Sequence, residues 1–187
     1  MRLKIVQVGD PVLREAARPL SPEEILSEET QRLIHDMKET MYDAPGVGLA
    51  APQVGVPLQL AVIEDREELL RNLPNAELLD KERRPVPFHV VINPKIVPMG
   101  EEKVEFHEGC LSLAGFLALV PRTRTIRVEC LNERGEAQSI EASGWHARIL
   151  QHEIDHLHGT LYIDRMLTRT FTSIENWNRY GKSKRIG

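Results

Sequence analysis

Hydrophobic residues recur at helical spacing in two segments of the chain. The first follows Ser21, a suitable N-cap residue, and has a proline at the first helical position. Its apolar positions predict a helix over about residues 22–42; they are Ile25, Leu33, Ile34, Met37 and Met41. The second segment begins near Ser143 and ends before Gly159, a typical C-terminal cap. Because its apolar residues lie on more than one face, the second helix should be buried on most sides.

Short apolar runs bounded by turn residues predict β-strands between and around these helices. The predicted strands cover residues 57–63, 89–92, 104–106, 117–120 and 125–131, and a turn at 132–135 makes 125–140 a hairpin. The charged stretch 64–85 is expected to be an excursion on the surface. Several strands with two main helices predict an α+β fold, with antiparallel β-sheets packed around the buried second helix. We expect one domain over 1–187, of which about 177–187 form a flexible basic tail.

Composition excludes several classes of protein. The chain has 187 residues, a net charge of −4 and only 5% aromatic residues. These values argue against nucleic-acid recognition, including specific DNA binding, because such surfaces are usually basic and use aromatic rings for stacking. No apolar stretch approaches the ~20 residues that span a bilayer, so no membrane association is expected. The first ten residues lack the apolar core of a signal peptide, which predicts a cytoplasmic location.

The two cysteines have different surroundings in the sequence. A lone structural disulfide between Cys110 and Cys130 is not expected in a reducing compartment. Cys130 lies within a predicted strand and is expected to be a small buried hydrophobic residue. Cys110 follows a glycine in the segment EGCLS at 108–112, and this setting suggests a chemical role.

The strongest chemical signal is the sequence HEIDH at positions 152–156. On a helix, residues i and i+4 lie on one face, so His152 and His156 can bind one metal ion. Glu153 lies beside them and can accept a proton from metal-bound water. Without a metal, a buried helix would have to desolvate these polar side chains at a cost in free energy. The pattern therefore favours a metal site.

A catalytic metal site usually has three protein ligands, and the sequence offers several candidates for the third. One protease class has a histidine at the position of Tyr162, so that class is excluded. A second class uses a downstream glutamate, for which Glu175 is the candidate. The remaining candidate is Cys110, because a thiolate binds borderline divalent ions strongly. An endopeptidase that uses Glu175 and a non-catalytic metal or ribosome-associated protein stay open beside a hydrolase that uses Cys110.

Three motifs together resemble the signature of the peptide deformylase family. They are GVGLAAPQ at 46–53, EGCLS at 108–112 and QHEIDH at 151–156. The resemblance extends from about residue 10 to about residue 176. The features most similar to the mitochondrial-type branch are the excursion at 64–87, the stretch at 114–117 and ASGW at 142–145. Leu117 departs from the pattern, since many bacterial members carry an arginine there that grips the peptide backbone.

The resemblance implies removal of the N-formyl group from the N-terminal methionine of nascent polypeptides, with release of formate. It assigns the metal to three residues: Cys110, His152 and His156. It makes Glu153 the general base, and it assigns the oxyanion of the formyl group to the side chain of Gln53 and the backbone N–H of Leu111. The residues that would contact the substrate are Val47, Gly48, Phe106, Trp145 and Ile149.

The resemblance also implies a cofactor and a cellular setting. One divalent ion per chain is expected, usually Fe²⁺, with Zn²⁺, Ni²⁺ or Co²⁺ as substitutes. An ion pair between Glu108 and Arg122 should support the cysteine segment. A bacterial enzyme is favoured over a mature organelle form. The basic residues within 181–185 should be solvated, with a contact to the ribosome as the alternative.

Overall fold

A computed structural model describes residues 1–181 of the chain. Its α-helices are α1 (Pro22–Leu26), α2 (Glu28–Asp43), α3 (Glu67–Leu70), α4 (Asn75–Asp80), α5 (Gly144–Leu157) and α6 (Ile174–Tyr180). Its strands are β1 (Gly48–Ala50), β2 (Leu60–Asp65), β3 (Val86–Pro98), β4 (Lys103–Cys110), β5 (Leu113–Thr123), β6 (Thr125–Leu131), β7 (Ala137–Ser143) and β8 (Thr172–Ser173). They form two antiparallel sheets, in the orders β1-β2-β3-β6-β7 and β4-β5-β8. The predicted α+β class with antiparallel sheets is confirmed.

The five-stranded sheet lies between the two long helices because its central strands are apolar on both faces. Side chains alternate along a strand, so Leu60 and Val62 of β2 pack in the cluster that contains α2. Ile63 packs in the other cluster, which contains Ile149 and other residues of α5. This two-sided burial explains why residues 60–63 are apolar without interruption.

Helix α5 carries positions 152–156 and packs against strands of both sheets. Ten of its fourteen residues are buried, so side chains on almost every face of the helix meet protein. The helix is followed by Gly159, whose φ of +69° lies in the left-handed region. A Cβ at this position would lie 2.6 Å from the backbone oxygen of Arg14, so the chain can turn away here only at a glycine.

The predicted helix over 22–42 is two helices in the structure. Ser27 has an extended backbone conformation between them, and its side chain accepts a hydrogen bond from the backbone N–H of Thr30. Ser27 therefore caps the start of α2 and ends the continuous helix. Two predicted strands are also too short, since β3 and β5 each extend beyond the predicted residues at both ends. The strand predicted from residue 57 begins at Leu60 instead.

The predicted surface excursion at 64–85 and the first residues of the predicted flexible tail both make more contacts with the rest of the fold than expected. The excursion contains α3 and α4, buries Leu70, and places Arg83 in a bidentate ion pair with the buried Asp65 at 2.7 and 2.9 Å. In the predicted tail, residues 177–180 belong to α6, and the ring of Trp177 lies 3.9 Å from that of His107. The rest of that tail, 182–187, lies outside the described residues. Within residues 1–181, no helix combines the length and apolar character of a membrane span.

Candidate metal centre and adjoining cavity

Three side chains with metal-binding atoms converge where β4 ends against α5. Cys110 is the last residue of β4, and His152 and His156 are one turn apart on α5. Their sulfur and imidazole nitrogen atoms all lie within 4.8 Å of one another, and the Cys110 Sγ is 3.3 Å from the His156 Nε2. A thiolate with two imidazoles suits a borderline divalent ion, and three protein ligands leave one position open. These donors therefore fit the metal that the sequence predicts.

The other two positions considered for the third ligand do not supply one. Glu175 is on α6, where its carboxylate pairs with Arg179 at 3.0 Å and its side chain is 77% exposed. Tyr162 is buried, and its ring stacks at 6.3 Å on the ring of His152. Of the candidates, Cys110 is the residue that the fold brings to the two histidines.

A buried charged network supports His152 through the Nδ1 of its ring. Glu108 accepts a hydrogen bond from the Nδ1 of His152 at 2.9 Å and two from Arg122, each at 2.9 Å. Arg148 donates a further hydrogen bond to the same carboxylate at 2.7 Å. Because His152 donates through Nδ1, its Nε2 remains available as a ligand atom. The predicted ion pair of Glu108 and Arg122 is confirmed. Both side chains are buried, with exposures of 4% for Glu108 and 3% for Arg122.

The groups that donate hydrogen bonds to Glu108 keep its carboxylate ionised. Burial by itself would raise the pKa of Glu108, but hydrogen bonds and charge from Arg122 and His152 lower this pKa well below the usual range. Glu108 is therefore ionised at neutral pH. Arg122 also pairs with Asp155, which accepts hydrogen bonds from Arg165 at 2.7 and 2.8 Å. The network thus extends from His152 to the molecular surface.

Glu153 lies on the cavity side of the same helix and has few partners. Its side chain is buried, and its Oε2 has no hydrogen-bond partner among the described residues. Gly48 leaves room for it, because a Cβ on Gly48 would lie 2.4 Å from the Glu153 Oε1. Burial raises the pKa of Glu153 to about 7. A carboxylate with such a pKa is suited to accept and return a proton near neutral pH.

Gln53 and Leu111 both lie next to Cys110. Gln53 lies in a short 3-10 turn after β1 and is only 1% exposed. Its Oε1 accepts a hydrogen bond from the backbone N–H of Ala50 at 2.8 Å, which orients the amide. Its Nε2 lies 3.5 Å from the Cys110 Sγ and 3.3 Å from the Ser112 Oγ. Leu111 follows Cys110, and both Leu111 and Gln53 line the adjoining cavity.

The cavity beside the centre has a volume of about 410 Å³. Four of the predicted substrate-binding residues line it: Val47, Gly48, Trp145 and Ile149. Phe106 is not among its lining residues; its ring instead contacts Trp145 edge to face, with centroids 6.3 Å apart. Phe106 therefore supports the Trp145 wall from behind.

Sequence reasoning missed part of the network and part of the cavity wall. Arg148 lies one turn before His152 on a helix that was expected to be buried. Because a buried arginine needs a charged partner, its position indicated a nearby carboxylate. Arg165 carried no comparable signal. Phe116 and Ile174 both line the cavity but come from β5 and α6, which the β5–β8 pairing brings together. That pairing joins distant segments and leaves no local pattern in the sequence.

The fold and the site define a class of α+β proteins in which a buried HExxH helix and a cysteine form a metal centre. The family model for polypeptide deformylase matches residues 2–171, and the chain belongs to this family. It is 49% identical over 172 residues to the chloroplastic peptide deformylase 1A of Solanum lycopersicum, covering 92% of this chain and 62% of that protein. It thus spans less than two thirds of the tomato relative.

Two further comparisons agree with this family. The mitochondrial peptide deformylase of Homo sapiens is 44% identical over 170 residues, which cover 91% of this chain and 70% of the human protein. A Met-Ala-Ser-bound class I type b peptide deformylase from Acinetobacter baumannii superimposes with a TM-score of 0.78 at 30% identity. That match covers 89% of this chain and 99% of the bacterial one. The resemblance seen in the three motifs is confirmed, and the relatives include organellar proteins.

Proposed function

We propose that this chain is a metal-dependent peptide deformylase. It removes the N-formyl group from the N-terminal formyl-methionine of newly synthesised polypeptides and releases formate. The convergence of Cys110, His152 and His156 beside Glu153, in a chain of the polypeptide deformylase family, carries this proposal. The Acinetobacter baumannii relative supports it, because the tripeptide bound there begins with methionine.

Cys110, His152 and His156 hold one divalent ion per chain. The proposed ion is Fe²⁺, and Zn²⁺, Ni²⁺ or Co²⁺ can replace it. When bound, the ion would supply Lewis acidity, which would make a water molecule at the site more acidic. A ferrous ion and a thiolate are both oxidisable, so activity should decay in air and decay more slowly after the iron is exchanged for Ni²⁺.

Glu153 moves the proton of the reaction. It accepts a proton from the water whose oxygen attacks the formyl carbon, and it returns that proton to the amine nitrogen when the C–N bond breaks. The raised pKa of Glu153 supports both steps, because the group can exist in either protonation state near neutral pH.

Gln53 and Leu111 stabilise the negative charge that develops on the formyl oxygen. The Nε2 of Gln53 and the backbone N–H of Leu111 donate hydrogen bonds to this oxygen. The hydrogen bond from Ala50 to the Oε1 of Gln53 supports the role, since it holds the amide in one orientation before the substrate arrives.

The cavity binds the methionine residue of the substrate. Val47, Trp145 and Ile149 contact its side chain, and Phe106 holds the Trp145 ring in place. Gly48 leaves space for the peptide backbone as well as for Glu153.

The enzyme acts on nascent chains in the cytoplasm of a bacterium, with a mature organelle form as the alternative. Free cysteines support a reducing compartment. The basic residues Lys182, Lys184 and Arg185 lie outside the described residues, and a contact with the ribosome is the alternative to their being solvated. Replacing these three residues with serine should reduce co-sedimentation with ribosomes, and unchanged co-sedimentation would contradict that contact.

Formate release from formyl-Met-Ala-Ser tests the proposed activity. Anaerobically purified, Fe²⁺-loaded protein should release formate, and Glu153→Gln should lower the rate by about 10²–10⁴-fold at unchanged metal content. Glu175→Gln is the matched control and should behave like wild type. No release by folded, metal-loaded wild-type protein, or full activity of Glu153→Gln, would contradict the proposal.

A further inference from the structure

Three large apolar side chains are exposed at one side of the cavity mouth. They are Phe116, Phe171 and Ile174, which are 40%, 41% and 42% exposed, and they are called the apolar rim below. Phe116 and Ile174 also line the cavity itself. The rings of Phe116 and Phe171 are stacked, with centroids 5.1 Å apart and planes only 9° from parallel. The rim is therefore continuous with the wall of the candidate active site.

Backbone pairing and a ring contact hold the apolar rim in place. In the β5–β8 pairing, Phe116 lies opposite Ser173 and Leu117 opposite Thr172, so Phe171 and Ile174 flank the paired segment. On the next element, Trp177 of α6 packs on His107 of β4. These contacts attach α6 to β4 and β5, the two strands of the hairpin in which β4 ends at Cys110. Because the rim is preorganised, binding to it costs little conformational entropy.

A peptide bound in the cavity has to leave through its mouth. Its formyl group lies at the metal centre and its methionine side chain fills the cavity, so the following residues pass the mouth. Apolar side chains clustered on one side of a binding cavity indicate a contact surface, whereas scattered exposed hydrophobic residues need no explanation. The rim offers ring faces and an aliphatic side chain to those following residues.

We propose that the apolar rim binds an apolar side chain that follows methionine in the substrate, at the second or third residue. This inference rests on the proposed function and adds a preference among nascent chains. It assigns to Phe171 and Ile174 a part of the substrate site that neither the metal motif nor the cysteine segment contains. Phe116 joins the rim to the cavity and is the central contact.

Four matched peptides test the preference. They are formyl-Met-Ala-Ser, formyl-Met-Leu-Ser, formyl-Met-Ala-Leu and formyl-Met-Leu-Leu, assayed for kcat/KM with Fe²⁺-loaded protein. At least one leucine peptide should exceed formyl-Met-Ala-Ser by about tenfold, the ratio expected when part of a leucine side chain leaves water. Phe116→Ser and Ile174→Ser should each bring this ratio to about threefold or less. The control Leu79→Ser, at an apolar residue of α4 that is 79% exposed, should keep the wild-type ratio.

The outcomes separate this inference from the proposed function. Equal kcat/KM values for all peptides in wild type, or a preference that survives both rim substitutions, would overturn it. If no peptide releases formate, the proposed function fails, and calorimetric binding of unformylated Met-Ala-Leu and Met-Ala-Ser tests the rim directly. Tighter binding of Met-Ala-Leu that is lost in Phe116→Ser supports the rim, and equal affinities refute it. Unchanged melting temperatures establish that the variants are folded.

Discussion

Glu108 and Glu153 are both buried beside His152, but they lie in different surroundings. Glu108 accepts hydrogen bonds from Arg122, Arg148 and His152. The Oε2 of Glu153, by contrast, has no partner among the described residues. The pKa of Glu108 accordingly lies well below the usual range, and that of Glu153 is raised to about 7.

The difference separates a supporting region around Glu108 of β4 from a reacting region around Glu153 of α5. Full pairing fixes the charge of Glu108 and the orientation of His152. The network can therefore hold His152 in place for a metal ion, but it cannot exchange protons near neutral pH. Weak pairing leaves Glu153 able to change its protonation state, at a cost in stability that the rest of the fold has to offset. Substitutions on the two sides should therefore affect different measured quantities.

The largest effect is expected in the supporting region, from Glu108→Gln. Removing this charge leaves Arg122 with Asp155 alone and takes from the buried Arg148 its ion pair, so unfolding free energy should fall by about 3–5 kcal/mol in urea denaturation. Metal affinity should fall by about 10–100-fold in a chelator competition. Glu105→Gln, at an exposed residue of the same strand, is the control. A loss no larger than that of the control would show that the network does not support the centre.

The next effect is expected in the reacting region, from Gln53→Ala. Loss of this proposed oxyanion donor should lower kcat by about 10²–10³-fold, with little change in KM. Urea denaturation and metal content should change far less than in Glu108→Gln. A fall in metal content that matches the fall in kcat would instead place Gln53 in the supporting region.

A smaller effect is expected at His146, where a buried nitrogen is unpaired without a proposed role in the reaction. Its Nε2 has no partner among the described residues, its ring packs edge to face on His89, and burial lowers the pKa of His146 to about 4. An unfolded histidine titrates near pH 6.5, so the unfolded chain binds the proton first as the pH falls. This contribution to stability is complete above about pH 6.5 and is lost progressively towards pH 4.

His146→Gln should flatten the acid side of the stability profile. The expected change between pH 6.5 and pH 4 is about 1–2 kcal/mol, less than the full shift implies because the ring is partly exposed. Urea denaturation across this range measures it, with the exposed His35→Gln on α2 as the control. Identical profiles for His146→Gln and wild type would contradict the assignment.

The smallest effect is expected where the network reaches solvent. Arg165 is 49% exposed, and Asp155 keeps its pairing with Arg122 when Arg165 is removed. Arg165→Ala should therefore cost about 1 kcal/mol or less in unfolding free energy. A loss comparable with that of Glu108→Gln would mean that pairing at the surface matters as much as pairing in the interior.

The sequence was most informative where chemistry and local structure coincide. HEIDH with Gly159 after it places two imidazoles on one helix and ends that helix, and both features depend on near neighbours. The strand at 125–131 was also bounded correctly, since turn residues follow it closely. The break at Ser27 was missed because serine is tolerated within a helix as well as at its start.

What the sequence could not provide were contacts between distant segments. The partners of Glu108 come from β5 and α5, and no local periodicity links Arg122 to Asp155. The apolar rim depends on β8, a two-residue strand too short to leave a pattern. Phe106 has the alternating spacing of a strand residue, and this spacing does not reveal that it lies behind Trp145.

The order in which the chain is synthesised bears on when this centre can form. The contact between Gln53 and Cys110 spans 57 residues, and that between Cys110 and His156 spans 46. Helix α2 and strands β1 to β3 can associate as they emerge, but α5 follows every strand of the five-stranded sheet. The centre is thus among the last parts to assemble, because a growing chain that has not reached residue 156 still lacks one of the three residues that converge there.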